Sequence, residues 1–262
     1  MKRVLTSILL VPFAVYTVLY ADWRIFLAVI ALLSVLCFRE YARITGAFAP
    51  LGYIAGILLL LAPPREASLI LILSGLAAMA ISMAAPDLTI GVNRAGALAM
   101  GILYVCGSWK TAALLHDIGR PAAGGLTAGA HWLMFGLMVN WIGDTGAYYV
   151  GRRFGRNKLA PIVSPGKTWE GAVASGVSGT LLGALYLPWA IPGLGLPLAC
   201  LIALTANAAG QIGDLAESAL KRGAGVKDSG TLLPGHGGVL DRMDSTMFTI
   251  PVLYVLVTLL NS

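Results

Sequence analysis

Apolar residues along this chain come in long unbroken runs, and polar residues gather in short clusters between them. A helix needs about 20 apolar residues, within a working range of roughly 17–25, to cross a hydrocarbon core. Nine runs are candidates: residues 4–20, 24–41, 49–62, 67–85, 95–115, 131–150, 171–189, 197–217 and 246–261. The third is short and stops at Pro63-Pro64. Gly and Pro inside such runs do not exclude helix, because membrane helices tolerate them. Gly171, Ala174, Ser175, Gly176 and Gly179 predict close helix packing in the seventh run. The expectation is an all-α polytopic bundle of about nine spans, forming one integral membrane domain over residues 1–262.

Composition agrees with a lipid solvent. Of 262 residues, 58% are hydrophobic and 11% charged, where a soluble domain carries about 25% charged. Mean hydropathy is +0.82. The net charge of +6 lies in clusters between apolar runs, which suits a membrane surface and argues against nucleic acid. Cys37, Cys106 and Cys200 sit in apolar runs without CxxC spacing, so buried free thiols are expected. The first run has a basic start but no small-residue cleavage site, which predicts a retained span rather than a signal peptide.

Lys and Arg set orientation. With the N-terminus cytoplasmic, 14 of the 18 fall on the inner side, and only Arg24, Arg65, Lys110 and Arg120 on the outer. Trp23, Trp109, Trp132 and Trp189 then fall at the outer rim, as an aromatic belt would. Two polar segments, 151–171 and 218–245, share the cytoplasmic side.

Two runs carry polar stripes. Asn207, Gln211, Asp214 and Ser218 recur at helical spacing, as do Asn140, Asp144 and Tyr148. The amides suit either interhelical hydrogen bonding or a site. An intramembrane carboxylate is costly and points to function. Downstream, Glu217, Asp228, Asp241 and Asp244 alternate with Lys221, Arg222, Lys227, His236 and Arg242. Acids and bases together suit a divalent cation held by carboxylates, with phosphates bridging it to basic side chains. The glycines of "PGHGG", including Gly237 and Gly238, permit unusual backbone angles and can bring bare N–H groups to an anion. "GKT" at 166–168 lacks the upstream glycine of a Walker motif.

Ser218, Lys221, Arg222, Lys227, Asp228, Pro234, His236, Gly237, Gly238, Asp241, Arg242 and Asp244 resemble, in order and spacing, the signature of phosphatidate cytidylyltransferases (CDP-diacylglycerol synthases). A second block is similar to the same family: Asp144 to Tyr148, Gly151, Arg152, Phe154, Gly155, Lys158, Leu159, Pro161, Ser164 to Thr168, Glu170 and Gly171. The two blocks make 140–245 the catalytic region, whereas the first 130 residues resemble the family only in being spans. The resemblance implies a membrane enzyme that condenses CTP with phosphatidic acid, giving CDP-diacylglycerol and pyrophosphate. It also implies Mg²⁺, with Asp214 and Asp241 as ligands, and a homodimer; a bacterial inner membrane, with the site facing the cytoplasm, is the simplest location.

The chemistry expected of such a site is mostly positioning and neutralisation of charge, because the attacking phosphate is already an anion. Asp244 or Asp144 would complete the ligand set for one Mg²⁺ or a cation pair. Lys167, Lys221, Arg222, Lys227 and Arg242 would serve the triphosphate or the lipid head group, Ser164 would donate to a phosphate oxygen or bind metal, and His236 would serve either the glycine turn or the leaving pyrophosphate. A CTP-dependent polyprenol kinase and a transporter are the rival readings.

Overall fold

Each of the nine apolar runs falls on a helix in the structure, a computed structural model that describes residues 2–119, 127–233, 235 and 237–260, with side chains from residue 8 onward. In chain order these are α1 (Lys2–Leu19), α2 (Trp23–Thr45), α3 (Ala49–Leu61), α4 (Pro64–Ser82) and α5 (Leu88–Gly101). α5 runs through a π-helical turn (Ile102–Gly107) into α6 (Ser108–Asp117). Then come α7 (Ala128–Phe154), α8 (Trp169–Ala190), α9 (Leu196–Gly223), the short α10 (Leu240–Met243) and α11 (Thr246–Leu260). Local signals set the boundaries. Asp22, Asp87, Thr127 and Thr168 cap α2, α5, α7 and α8 by accepting backbone N–H bonds. Gly46, at φ 73°, closes α2 in the left-handed conformation.

Among the described residues, six segments are long and apolar enough to cross a membrane: α2, α4, α5 through α6, α8, α9 and α10 through α11. The described part of α1, Ile8–Leu19, and α3 are apolar but shorter. α7 has 27 residues, and Asn140, Asp144 and His131 dilute its apolar character.

Within segment 151–171 the all-α bundle carries one small hairpin. It consists of β1 (Lys158–Ala160) and β2 (Ser164–Thr168), an antiparallel pair with Lys158 opposite Thr168 and Ala160 opposite Ser164. Glu170 staples its base, accepting from the side-chain amide of Asn157 at 2.9 Å.

Helices α7, α8, α9 and α11 pack closely because small residues face polar ones. A Cβ on Gly143 would strike Asn207 and Ser175, and one on Gly210 would strike Asn140 and Thr249. The amides act as interhelical glue. Asn207 donates to Ser175 at 3.0 Å, Gln211 to Asn207 at 2.7 Å, and Thr249 to Asn140 at 3.0 Å. Bonds of this kind contribute about 0.6 kcal/mol each on average.

Two surface assignments change. Trp109 and Trp132 are core residues, 4% and 3% exposed, so only Trp23 and Trp189 remain from the predicted outer belt. Lys110 is buried too; its ammonium caps the end of α3 by donating to the carbonyls of Ala62 at 2.5 Å and Leu60 at 3.3 Å. A cation at a helix C-terminus satisfies orphan carbonyls there. Cys37, Cys106 and Cys200 are free, and the first two are buried.

Candidate active site

The segment after α9 is built around one carboxylate and one ammonium. Lys221, in the last turns of α9, reaches back to Glu217 one turn earlier and across to Asp241, 2.6 Å away, on α10. Glu217 is 1% exposed and Asp241 6%. Asp241 also accepts from Ser229 N at 3.0 Å and Gly238 N at 2.8 Å. Its two oxygens are thereby occupied, and the chain between α9 and α10 is drawn around them. Gly225 and Gly237, at φ 70° and 80°, take the left-handed angles that this path needs. Leu233 N donates to Gly237 O at 2.9 Å, pinching the loop.

From the other end of the sequence comes Glu40 on α2, a site residue that the sequence reading passed over. It accepts from Ser229 Oγ at 2.9 Å and from Leu240 N at 2.8 Å. Gly238 must be bare here, because a Cβ would collide with Ser229 Oγ and the Glu40 carboxylate. Gly238→Ala is therefore expected to cost about 1–3 kcal/mol of stability through overpacking and to lower activity. Gly223→Ala, where a Cβ meets open space, is the matched control. Melting temperatures of the two variants in detergent check this.

A second group of acids lies beside the first. Asp214, on the same face of α9 as Ser218 and Lys221, is paired with Lys167 of β2 at 2.6 Å. Asp144 on α7 and Asp244 at the α10–α11 junction lie within electrostatic range of it and of each other. Asp244 Oδ1 accepts from Ser245 N at 2.7 Å.

These acids form the charged end of a cavity of about 570 Å³, which also admits Lys221, Asp228, Asp241 and Arg242 to its wall. Apart from Thr17 and Thr246, the rest of its wall is apolar. On α7, Trp141, Leu137 and Leu133 follow Asp144 at helical spacing. Eleven residues of α-helix separate Asp144 from Leu133, so this arm extends about 16 Å. Leu10, Ala14 and Val18 of α1 and Phe26 and Ile30 of α2 face it. Its length is close to half of a hydrocarbon core of about 30 Å.

The sequence-predicted residues thus divide. Asp144, Asp214, Lys221, Asp241, Arg242 and Asp244 gather at one cavity. Lys167 joins through Asp214. Gly237 and Gly238 shape the loop around Asp241. Ser164 is half-buried in β2, while Arg222 and Lys227 are exposed, and the three stand outside the cavity wall. Arg222 donates to Val226 O at 3.2 Å. His236 lies outside the described residues. Among the described residues, no three His, Cys, Asp or Glu side chains are arranged to hold a metal by protein ligands alone.

Comparison with known proteins bears on this arrangement directly. The sequence pattern of the cytidylyltransferase family matches residues 1–260. The chain belongs to that family. Among its relatives is a protein of Staphylococcus saprophyticus named phosphatidate cytidylyltransferase, 44% identical over 128 residues, which are 49% of this chain and 49% of that protein. A protein of the same name from Staphylococcus haemolyticus is also 44% identical over 128 residues. One from Staphylococcus aureus is 42% identical over 133 residues. The chain spans about half the length of the curated relatives it matches, 49% in each case.

Proposed function

We propose that this chain is a phosphatidate cytidylyltransferase, condensing CTP with phosphatidic acid to give CDP-diacylglycerol and pyrophosphate. The observation that carries the reading is the cavity that joins a 16 Å apolar arm, by the helix arithmetic above, to a mouth of carboxylates with Lys221 and Arg242. A lipid with an anionic head group has that same division. Its acyl chain lies along α1 and α7, and its phosphate stops at the charged end. Family membership and the names of the relatives support the same reaction.

The transfer is an in-line displacement. A phosphate oxygen of phosphatidic acid attacks the α-phosphorus of CTP, the bond from that phosphorus to the bridging oxygen breaks, and pyrophosphate leaves with the electron pair. The attacker needs little base catalysis; the barrier comes from bringing two polyanions together. Lys221 and Arg242 offset that charge at the cavity wall, and Lys167 does so from β2. Oxygen ligands suit magnesium, which binds through one or two carboxylates together with substrate phosphates rather than in an all-protein cage. The carboxylates here fit that requirement: Asp214 and Asp244, with Asp144 beside them, would hold the ion. Asp241 would join that set only by giving up Lys221; while paired, it aims the ammonium. Magnesium, when bound, would supply positive charge that offsets the phosphates.

We further propose nine spans with the N-terminus and the site on the cytoplasmic side of a bacterial inner membrane, in a homodimer. The excess of Lys and Arg on one side supports the orientation.

Labelled CTP tests the reaction. With phosphatidic acid in mixed micelles, α-labelled CTP is expected to transfer its label to lipid while γ-label leaves as pyrophosphate. Label from the γ position in lipid would support a lipid kinase instead.

A further inference from the structure

We propose that Glu40 is a positioning residue for this reaction, holding Ser229 and Leu240 so that Lys221 and Asp241 face the cavity. The inference rests on the proposed transferase reading for its activity measurements. Glu40 lies near the end of α2, is 5% exposed, and lines no part of the cavity wall. Through one oxygen it grips the segment twice, at Ser229 Oγ (2.9 Å) and at Leu240 N (2.8 Å). Ser229 passes the constraint on, since its N–H donates to Asp241 at 3.0 Å and its hydroxyl accepts from Asp241 N at 3.3 Å. Asp241 in turn holds Lys221 at 2.6 Å. Glu40, Ser229, Asp241 and Lys221 thus form a continuous relay from α2 to the reacting end of α9. The two glycines that flank this grip are bare where Glu40 passes: a Cβ on Gly230 would stand 2.5 Å from its Oε1, and one on Gly238 would strike its Oε2. A carboxylate with two donors to one oxygen and glycines cleared around it is fitted to the loop.

The experiment uses the full chain in detergent. Removing a partner that orients a reacting group costs about 10–100-fold in activity, so Glu40→Ala is expected to lower kcat by that factor with KM for CTP changed far less. Glu40→Gln keeps an oxygen for both donors and is expected to stay within about threefold of wild type, the scale of one modest hydrogen bond. Ser229→Ala breaks the next link; combined with Glu40→Ala it should lose no more than the worse single variant, because the two act in one relay. Trypsin gives a readout independent of turnover. Cleavage after the exposed Lys227 should quicken in Glu40→Ala and not in Glu40→Gln. Should Glu40→Ala fail to fold, Ser229→Ala and Glu40→Gln carry the test: slow turnover and quick cleavage in the first, neither in the second. Wild-type kcat in Glu40→Ala or Ser229→Ala, or equal losses in Glu40→Ala and Glu40→Gln, would overturn the inference. A wild-type protein that moves no label from CTP to lipid overturns the transferase reading, and the trypsin comparison still decides the role of Glu40.

Discussion

Lys221→Met is expected to abolish measurable turnover and to lower stability by about 3–5 kcal/mol, the cost of leaving a buried charge without its partner. The reason is local. The ammonium sits between Glu217 and Asp241, whose side chains are 0% and 3% exposed. Methionine fills the same volume without charge, so packing survives while two carboxylates lose the group that offsets them. A second substitution separates folding from chemistry. Lys221→Met combined with Glu217→Leu should recover part of the stability, because one of the stranded carboxylates is gone. It should recover no activity, because no ammonium faces the phosphates. Thermal unfolding in detergent and pyrophosphate release, measured on both variants, check the two halves. Recovery of turnover in the double variant would show that Lys221 acts only by satisfying Glu217.

How far the sequence could lead follows from the kind of signal each feature leaves. Long apolar runs are local, and all nine lie on helices. Asp144 and Asp214 stood out because carboxylates are rare in such runs, and both line the cavity. Glu40 was open to the same argument. It escaped because it stands at the end of a run between Arg39 and Arg43, where charge reads as a membrane boundary. Its partners lie 189 and 200 residues away, a relation that no local pattern carries. Lys110 is a similar case. Counted only as an outer-side charge, it is also the cap of a helix that ends 49 residues earlier, at Leu61. The β1–β2 hairpin was hidden for a different reason. Ser164-Pro165-Gly166 reads as a turn, and only the pairing of Lys158 with Thr168 makes a strand of it. The apolar arm of the cavity was also invisible. Leu10, Phe26 and Leu133 look like ordinary membrane-facing residues until α1, α2 and α7 are placed together.

The account as a whole stands on the acidic mouth of that cavity. Asp214 is its most exposed test, in both senses. Its side chain is 29% exposed and paired with Lys167, so Asp214→Asn keeps the shape and is not expected to disturb folding. What the change removes is the carboxylate charge that pairs with Lys167 and that, on the proposed reading, would hold the magnesium ion. Losing one preorganised electrostatic group at a reacting centre typically costs about 10²–10³ in kcat. The decisive measurement is pyrophosphate release by purified protein supplied with CTP and phosphatidic acid in the same micelles, wild type against Asp214→Asn. The account predicts a rate at least about 100-fold lower with an unchanged melting temperature; a variant that releases pyrophosphate within about twofold of wild type would contradict it, since an effect that small is under 0.5 kcal/mol.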